Sequence, residues 1–365
     1  DIPVRQRSLR AVFLHTWSKL NTGEREVFMR LSVFRGGASL EAAQHVTGAT
    51  VGVLATLIDN ALLRRLPSGR YDIHELLRQF AQEQLEQDSQ IAQAAHDAHS
   101  SYYAGFMQER SSAITGAAQQ RILQEISAEM DNIRAAWVWA AARLDVDNIR
   151  LATYTLYQFT DFRGGYREGI ELFEQAIAAL DAAPPSAQHD MLLALLCALN
   201  GWNYIRIGDY ETSAAVFARS AALYAALNTP PPPGFGTDPL IGLAFLATVR
   251  GDYTEALNLA RTACMRAAER GDTANLQIGN YTLASAYYSL GQFAAAGQEA
   301  RRAYQFASAD GNQAMMAYVA IVLGDVARAE GQLAAADKYY QRCYGLHSSL
   351  DNPEGMAVAL VRLAE

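Results

Sequence analysis

Apolar residues recur at three- and four-residue spacing along most of the chain, and strand-like alternation is scarce, so the pattern predicts a mostly α protein. A short signal interrupts the helical pattern again and again: a glycine, a polar or small residue, then an aromatic or leucine. It reads Gly164-Gly165-Tyr166, Gly208-Asp209-Tyr210, Gly251-Asp252-Tyr253, Gly291-Gln292-Phe293 and Gly331-Gln332-Leu333. The first glycines stand 44, 43, 40 and 40 residues apart. A period of this size signals stacked helix pairs, each too small to bury its apolar face alone. Glycine ends the first helix of each pair where φ must be positive, and the next aromatic is expected to pack between the helices.

The copy around Gly291 is the fullest. Leu283, Ala284 and Tyr287 precede the turn, and Ala296, Ala300 and Ala303 follow it. Small residues there allow two helices to approach closely, while Tyr287 and Phe293 fill the space between neighbouring pairs. Partial copies are Gly201, Tyr204 and Phe217; Leu243, Ala244, Ala256 and Ala263; and Leu323, Gly324, Ala336 and Tyr340. These positions resemble the tetratricopeptide repeat (TPR). Its usual period is about 34 residues, so either the helices or their connections here are longer than the norm. The copy at Gly164 lacks the Leu, Ala and Tyr of its first helix, as expected of an atypical first repeat.

Residues 1–87 have a different pattern. Leu9, Val12, Phe13, Trp17 and Leu20 recur at helical spacing. Asn21 or Thr22 caps a second helix carrying Val27, Phe28 and Leu31, Ser39 caps a third, and a fourth runs from Val51 to Leu62. Leu63 to Leu66, a Pro67-Ser68-Gly69 turn and Arg70 to Ile73 read as a hairpin. Helices followed by a two-stranded wing predict a winged-helix domain. Residues 88–145 are helical without the glycine turn and read as an arm, and 146–365 hold the repeats. The expected architecture is a winged-helix domain, a helical arm and a TPR-like α-solenoid superhelix. Within the repeats, Thr229 to Gly236 with its four prolines cannot be helical and reads as a stiff spacer.

Leu31-Ser32-Val33-Phe34 before Gly36-Gly37, together with Tyr71, Ile73-His74-Glu75-Leu76-Leu77-Arg78-Gln79-Phe80-Ala81, resembles the winged-helix domain of STAND signal-transduction ATPases. Glu129, Asn132-Ile133-Arg134-Ala135-Ala136 and Trp139 resemble the segment that leads into the repeats of such regulators. There Ile133, Ala136 and Trp137 are expected in the core, with Asp131 and Arg134 joining neighbouring helices. The resemblance implies a multidomain switch with a nucleotide-binding module, a winged helix and a repeat sensor. It implies that His74, in the family's Met-His-Asp/Glu position, reaches the ADP β-phosphate in the resting state; Ile73 stands where Met is commoner. A histidine in the first turn of a helix suits that contact independently, because the positive helix end favours a neutral ring that donates one hydrogen bond.

Composition narrows the rest. The net charge of −8 argues against a duplex-binding surface. The helix from Val51 to Leu62 carries only Asp59 as a charge, so Arg64, Arg65 and Arg70 on the wing are what remains for a DNA-binding alternative. A plain TPR scaffold is the other alternative. The only lysines, Lys19 and Lys338, follow Ser18 and Asp337, so no Gly-Lys phosphate loop exists and catalysis is not expected of this chain. ADP or ATP with Mg belongs to the missing module of the parent protein, and oligomerisation of the parent on activation is part of what the resemblance implies. His96 and His99 are three apart, but no third metal ligand has recognisable spacing. Cys197, Cys264 and Cys343 are singletons, expected as buried thiols in a reducing cytoplasm. No apolar span or leader is visible. The start at Asp1, and an end at Val361-Arg362-Leu363-Ala364-Glu365 that resembles another first helix, lead us to expect a piece of a longer protein.

The expected partner is an inducer (protein, peptide or small molecule) on the concave face of the repeats. Counting back six, three and two residues from each turn glycine gives Trp202, Ile205 and Arg206, then Phe245 and Thr248, then Ser285 and Tyr288 with Tyr281 behind them, then Asp325 and Arg328. Rings supply area and charges fix orientation, so these are the candidate ligand contacts. The competing expectation is that Trp202, Phe245 and Tyr281 pack between repeats.

Overall fold

Local capping decides where the first helices begin. The computed structural model describes residues 14–116, 118–234, 236–350 and 352–365. Leu9, Val12 and Phe13 lie outside them; residues 14–19 are helical, and Trp17 packs on Phe28 and Phe80. Helix α1 (Thr22–Leu31) opens with a reciprocal box, in which Asn21 Oδ1 accepts from the Glu24 N–H and the Glu24 carboxylate accepts from the Asn21 N–H, both at 2.9 Å. Ser39 caps α2 (Leu40–Thr47) and Thr50 caps α3 (Val51–Asp59). Strands β1 (Arg64–Arg65) and β2 (Tyr71–Asp72) then pair antiparallel, Arg64 opposite Asp72 and Arg65 opposite Tyr71. Helices followed by a small hairpin give the winged-helix order read from the sequence. The chain continues into α4 (Glu75–Leu85), α5 (Ser89–Arg110), α6 (Gln119–Arg143) and α7 (Val146–Phe162).

From there the chain is antiparallel helices forming TPR-like repeats, each glycine turn joining the two helices of a pair: α8 (Tyr166–Ala182) follows α7 across Gly164, α9 (Ala187–Arg206) pairs with α10 (Tyr210–Ala226), α11 (Pro239–Arg250) with α12 (Tyr253–Glu269), and α13 (Thr273–Ser289) with the helix after Gly291. Helices α14 (Phe293–Ala309), α15 (Gln313–Ala329), α16 (Leu333–Ser349) and α17 (Pro353–Ala364) complete it. The long period has a plain cause. Helices α12 to α16 are each 17 residues, joined by three-residue turns, so the helices rather than the connections exceed the norm. All five turn glycines have positive φ, from 69° at Gly164 to 84° at Gly251. The residue after each turn behaves less uniformly than expected. Tyr210 and Leu333 are exposed, whereas Phe293 joins the apolar cluster built on Ala296, Ala300 and Val322. Phe217, fully buried, lies where any side chain on Gly201 or Gly242 would stand, so neighbouring repeats close on its ring through two bare backbones.

The chain divides into two compact units, residues 1–108 with 127–152, and residues 109–126 with 153–365. The stretch 88–145, expected as an arm, is shared between them.

Candidate functional site

In the first unit, His74 is the N-cap of α4 and is exposed. Its Nδ1 accepts a hydrogen bond from the Leu76 N–H at 3.3 Å. Acceptance at Nδ1 requires a lone pair there, so in this contact the ring proton sits on Nε2. That Nε2–H is the one donor the ring has left. The next residue, Glu75, is occupied by Arg78 and Gln79, and the Arg78 guanidinium holds the Glu75 carboxyl at about 2, well below the usual carboxylate range. A cavity of about 120 Å³ opens beside this turn, walled by Arg35, Gly36-Gly37, Tyr71 to Ile73, Glu75 and Arg78.

The sequence pattern at 129–139 proves to be a lock on the same region. The Glu129 carboxylate pairs with Arg70 of the wing and accepts from the Tyr103 hydroxyl at 2.8 Å. Asn132, fully buried, donates to the Gly37 carbonyl at 2.9 Å, and its Oδ1 accepts from the Arg35 N–H at 2.7 Å. His99 Nε2 also donates to that oxygen at 3.3 Å, and burial pushes the His99 ring down to about 3. Glu129 and Asn132 thus join this helix to the wing and to the Gly36-Gly37 turn, and Asp131 and Arg134 also pair with each other along the helix at 2.8 Å. Ile133, Ala136 and Trp137 are buried as expected. His96 stacks on Trp139 at 4.4 Å, so the two histidines serve different contacts.

In the second unit the concave candidates separate. Trp202 is 9% exposed, sits edge-on to Phe217 at 5.5 Å, touches Phe245 at 6.0 Å, and donates its indole N–H to the Gly236 carbonyl at 3.0 Å. The proline-bearing connection thus covers it; Thr237 accepts from Asn275 and donates to Pro232, and Arg270 donates to the Pro231 carbonyl. That connection is an integral, bonded part of the repeat stack rather than a bare spacer. Tyr288 leans on Phe293 of its own hairpin at 5.6 Å. Tyr281 packs against the cluster around Val319 and Val322, and burial raises its hydroxyl above the usual tyrosine range. Asp325 is tied to the Tyr340 hydroxyl at 2.8 Å and to Arg362 at 3.1 Å, and Arg328 to Glu365 at 2.6 Å.

Arg206 differs from all of these. It pairs with Asp161 at 2.8 Å, with the rings of Tyr166 and Tyr318 each 5.9 Å from its guanidinium. Asp161 holds the guanidinium charged well above the usual arginine range, against the effect of burial. Yet 37% of the side chain is open, because it borders a cavity of about 290 Å³. Walls come from Gln119 and Leu123, the turn at 161–166, Tyr318, and Leu350 with Asn352 to Glu354. Gln120 Nε2 donates to the Ser349 carbonyl at 3.3 Å and closes one side. Of the concave candidate contacts, Arg206 alone lines this space. Arg163 and Glu354, which sequence reasoning missed, also line it. No spacing rule marks them: Arg163 precedes Gly164 just as Arg250 precedes Gly251, and Glu354 adjoins none of the five glycine turns.

The cysteines are all free; Cys197 and Cys343 are buried, Cys264 partly so, and burial pushes the Cys197 and Cys264 thiols up to about 12. Among the described residues no helix is long and apolar enough to cross a membrane.

The glycine turns and antiparallel pairs define a TPR-like repeat protein. No family model matches the chain. It is 25% identical over 183 residues, 47% of its length, to proteins of Mycobacterium tuberculosis and Mycobacterium bovis that bear the name "Putative HTH-type transcriptional regulator". The matched region is 20% of the length of those relatives. Among solved structures, BtubC from P. vanneervenii is similar over 60% of this chain and 89% of its own, at 17% identity and a TM-score of 0.46. The STAND protein with a tetratricopeptide repeat sensor PH0952 from Pyrococcus horikoshii is similar over 100% of this chain and 66% of its own, at 14% identity and a TM-score of 0.37.

Proposed function

We propose that this chain is the sensing and restraining portion of a STAND-type signal-transduction ATPase. In this reading the repeats bind an inducer, and the winged-helix unit holds the ADP-bound resting state of a nucleotide-binding module. The chain works by binding rather than by catalysis. The observation that carries the reading is His74: an exposed ring at the N-cap of α4, its Nδ1 engaged by the Leu76 N–H and its Nε2–H left to face an anion. That arrangement fits one hydrogen bond to an ADP phosphate. ADP or ATP with Mg supplies the chemistry in the other module; from this chain, His74 donates to the phosphate and Arg35 and Arg78 add positive charge nearby.

The name of the mycobacterial relatives supports a transcriptional output for the whole protein. It does not favour DNA reading by this winged helix. Helix α3 exposes Val51, Gly52, Ala55 and Asp59, with no cation among them. On the wing, Arg64 is tied to Asp72 and Arg70 to Glu129, so of the three arginines only Arg65 has no acidic partner among the described residues.

The test is ADP release from the full-length protein. A hydrogen bond to a charged acceptor contributes about 1.5–3 kcal/mol, so His74→Ala should speed ADP release about tenfold or more and raise activity without inducer. An unchanged release rate overturns the phosphate role. A gel shift by the isolated chain that is lost in Arg65→Ala would instead establish the DNA-binding alternative.

A further inference from the structure

We propose that the cavity beside Arg206 binds a small zwitterion, a free amino acid or a dipeptide, with its anionic end on Arg163 and its cationic end on Glu354. The inference rests on the sensing reading above and names the chemistry of the inducer. Among the described residues four charged side chains line the cavity: Asp161, Arg163, Arg206 and Glu354. Arg206 and Asp161 satisfy each other at 2.8 Å. Arg163 and Glu354 are both exposed, and neither has a hydrogen-bond or ion-pair partner among the described residues. One unpaired cation and one unpaired anion on the wall of one cavity match a ligand that carries both charges. An acid or an amine alone would leave one wall charge facing an apolar group, which costs affinity.

Size points the same way. A volume of about 290 Å³ is at the lower end for small-molecule sites, room for an amino acid or dipeptide and too little for a folded partner or a long peptide. The rings of Tyr166 and Tyr318 offer apolar faces for the ligand's carbon skeleton. The lining amides each hold one contact within the protein, Gln119 donating to the Ile114 carbonyl and Asn352 accepting from the Gly355 N–H. The two charges and the rings are the features that select a zwitterion. The placement also supplies a sensing device. Arg163 belongs to the glycine turn at 164 and Glu354 to the start of α17, so a ligand bridging them ties two repeats far apart in the sequence together. Such a ligand favours whichever curvature brings both charges within reach.

The experiment is a thermal-shift screen of the 365-residue chain with the common free amino acids and their glycyl dipeptides, each beside its N-acetyl and its C-amide form. At least one compound should raise the melting temperature, and neither blocked form of it should. By calorimetry its affinity should fall about tenfold or more in Arg163→Gln and in Glu354→Gln, and Arg163→Lys should retain most of it. Both side chains are exposed, so the unliganded variants should melt like the parent. A shift that survives blocking, or that persists in both glutamine variants, overturns the zwitterion and its placement while leaving the array a ligand binder. Silence from every compound overturns the cavity as the inducer site, and the restraint reading is then judged by ADP release alone.

Discussion

Trp202 and Arg206 stand one helical turn apart on α9, and distance from Gly208 assigns both to one concave face. Their surroundings are opposite. Trp202 is buried under Gly236 and wedged among Phe217 and Phe245, whereas Arg206 reaches an open cavity with over a third of its side chain in solvent. Periodicity is a property of α9 and fixes which way a side chain points. What lies above the side chain is decided elsewhere, here by a connection of residues 227–238 that occurs in one repeat only. A groove position in a repeat protein is therefore a binding position only where no insertion has already filled it.

The largest expected effect tests the closed half. Trp202→Ala removes a buried indole and leaves its cavity, so the denaturant midpoint should move by the equivalent of about 3–5 kcal/mol. A change no greater than that of an exposed site would mean that the connection does not seat on the ring, and the two halves would then be alike. A smaller effect is expected from the other partner in the contact. Gly236 has φ 75°, and a Cβ there would lie 2.8 Å from the indole nitrogen. Gly236→Ala should cost about 1–3 kcal/mol and expose Trp202 to acrylamide quenching. Quenching unchanged from the parent would show that the connection yields without leaving the ring.

The same contrast explains how far the sequence could be read. Each turn glycine was legible because positive φ is a demand of one residue on itself, and Asn21 with Glu24 was legible because a cap closes within three residues. Fold class followed from such local rules. His74 was singled out by its neighbours in the chain, and its place at the start of a helix was legible for the same local reason. The cavity was not found, since Arg206 meets Asp161 across 45 residues and the wall opposite comes from Leu350 with Asn352 to Glu354. Asn132 was hidden for the same reason. Its partners at Arg35 and Gly37 lie more than ninety positions earlier, and no spacing rule links a buried amide to a distant turn. Asp325 and Arg328 show the reverse error: their spacing suggested an open groove, but Tyr340, Arg362 and Glu365 occupy them.

The smallest expected effect tests the open half, and it is the one that can undo the comparison. Arg206→Gln removes an ion pair whose arginine is 37% exposed and whose aspartate is 12% exposed. Solvent screens such a pair, so its loss should cost about 1 kcal/mol or less. The two tyrosine rings add about 0.5–1 kcal/mol for a cation held at this degree of exposure. Glutamine keeps a donor for Asp161, so the acid is not left bare. Asp161→Asn should give a similar small loss, and the double variant should lose less than the two single losses added together, because the residues act as one pair. Should Arg206→Gln instead unfold the chain as early as Trp202→Ala does, the Arg206 end is packed as tightly as the Trp202 end and has no room for a ligand.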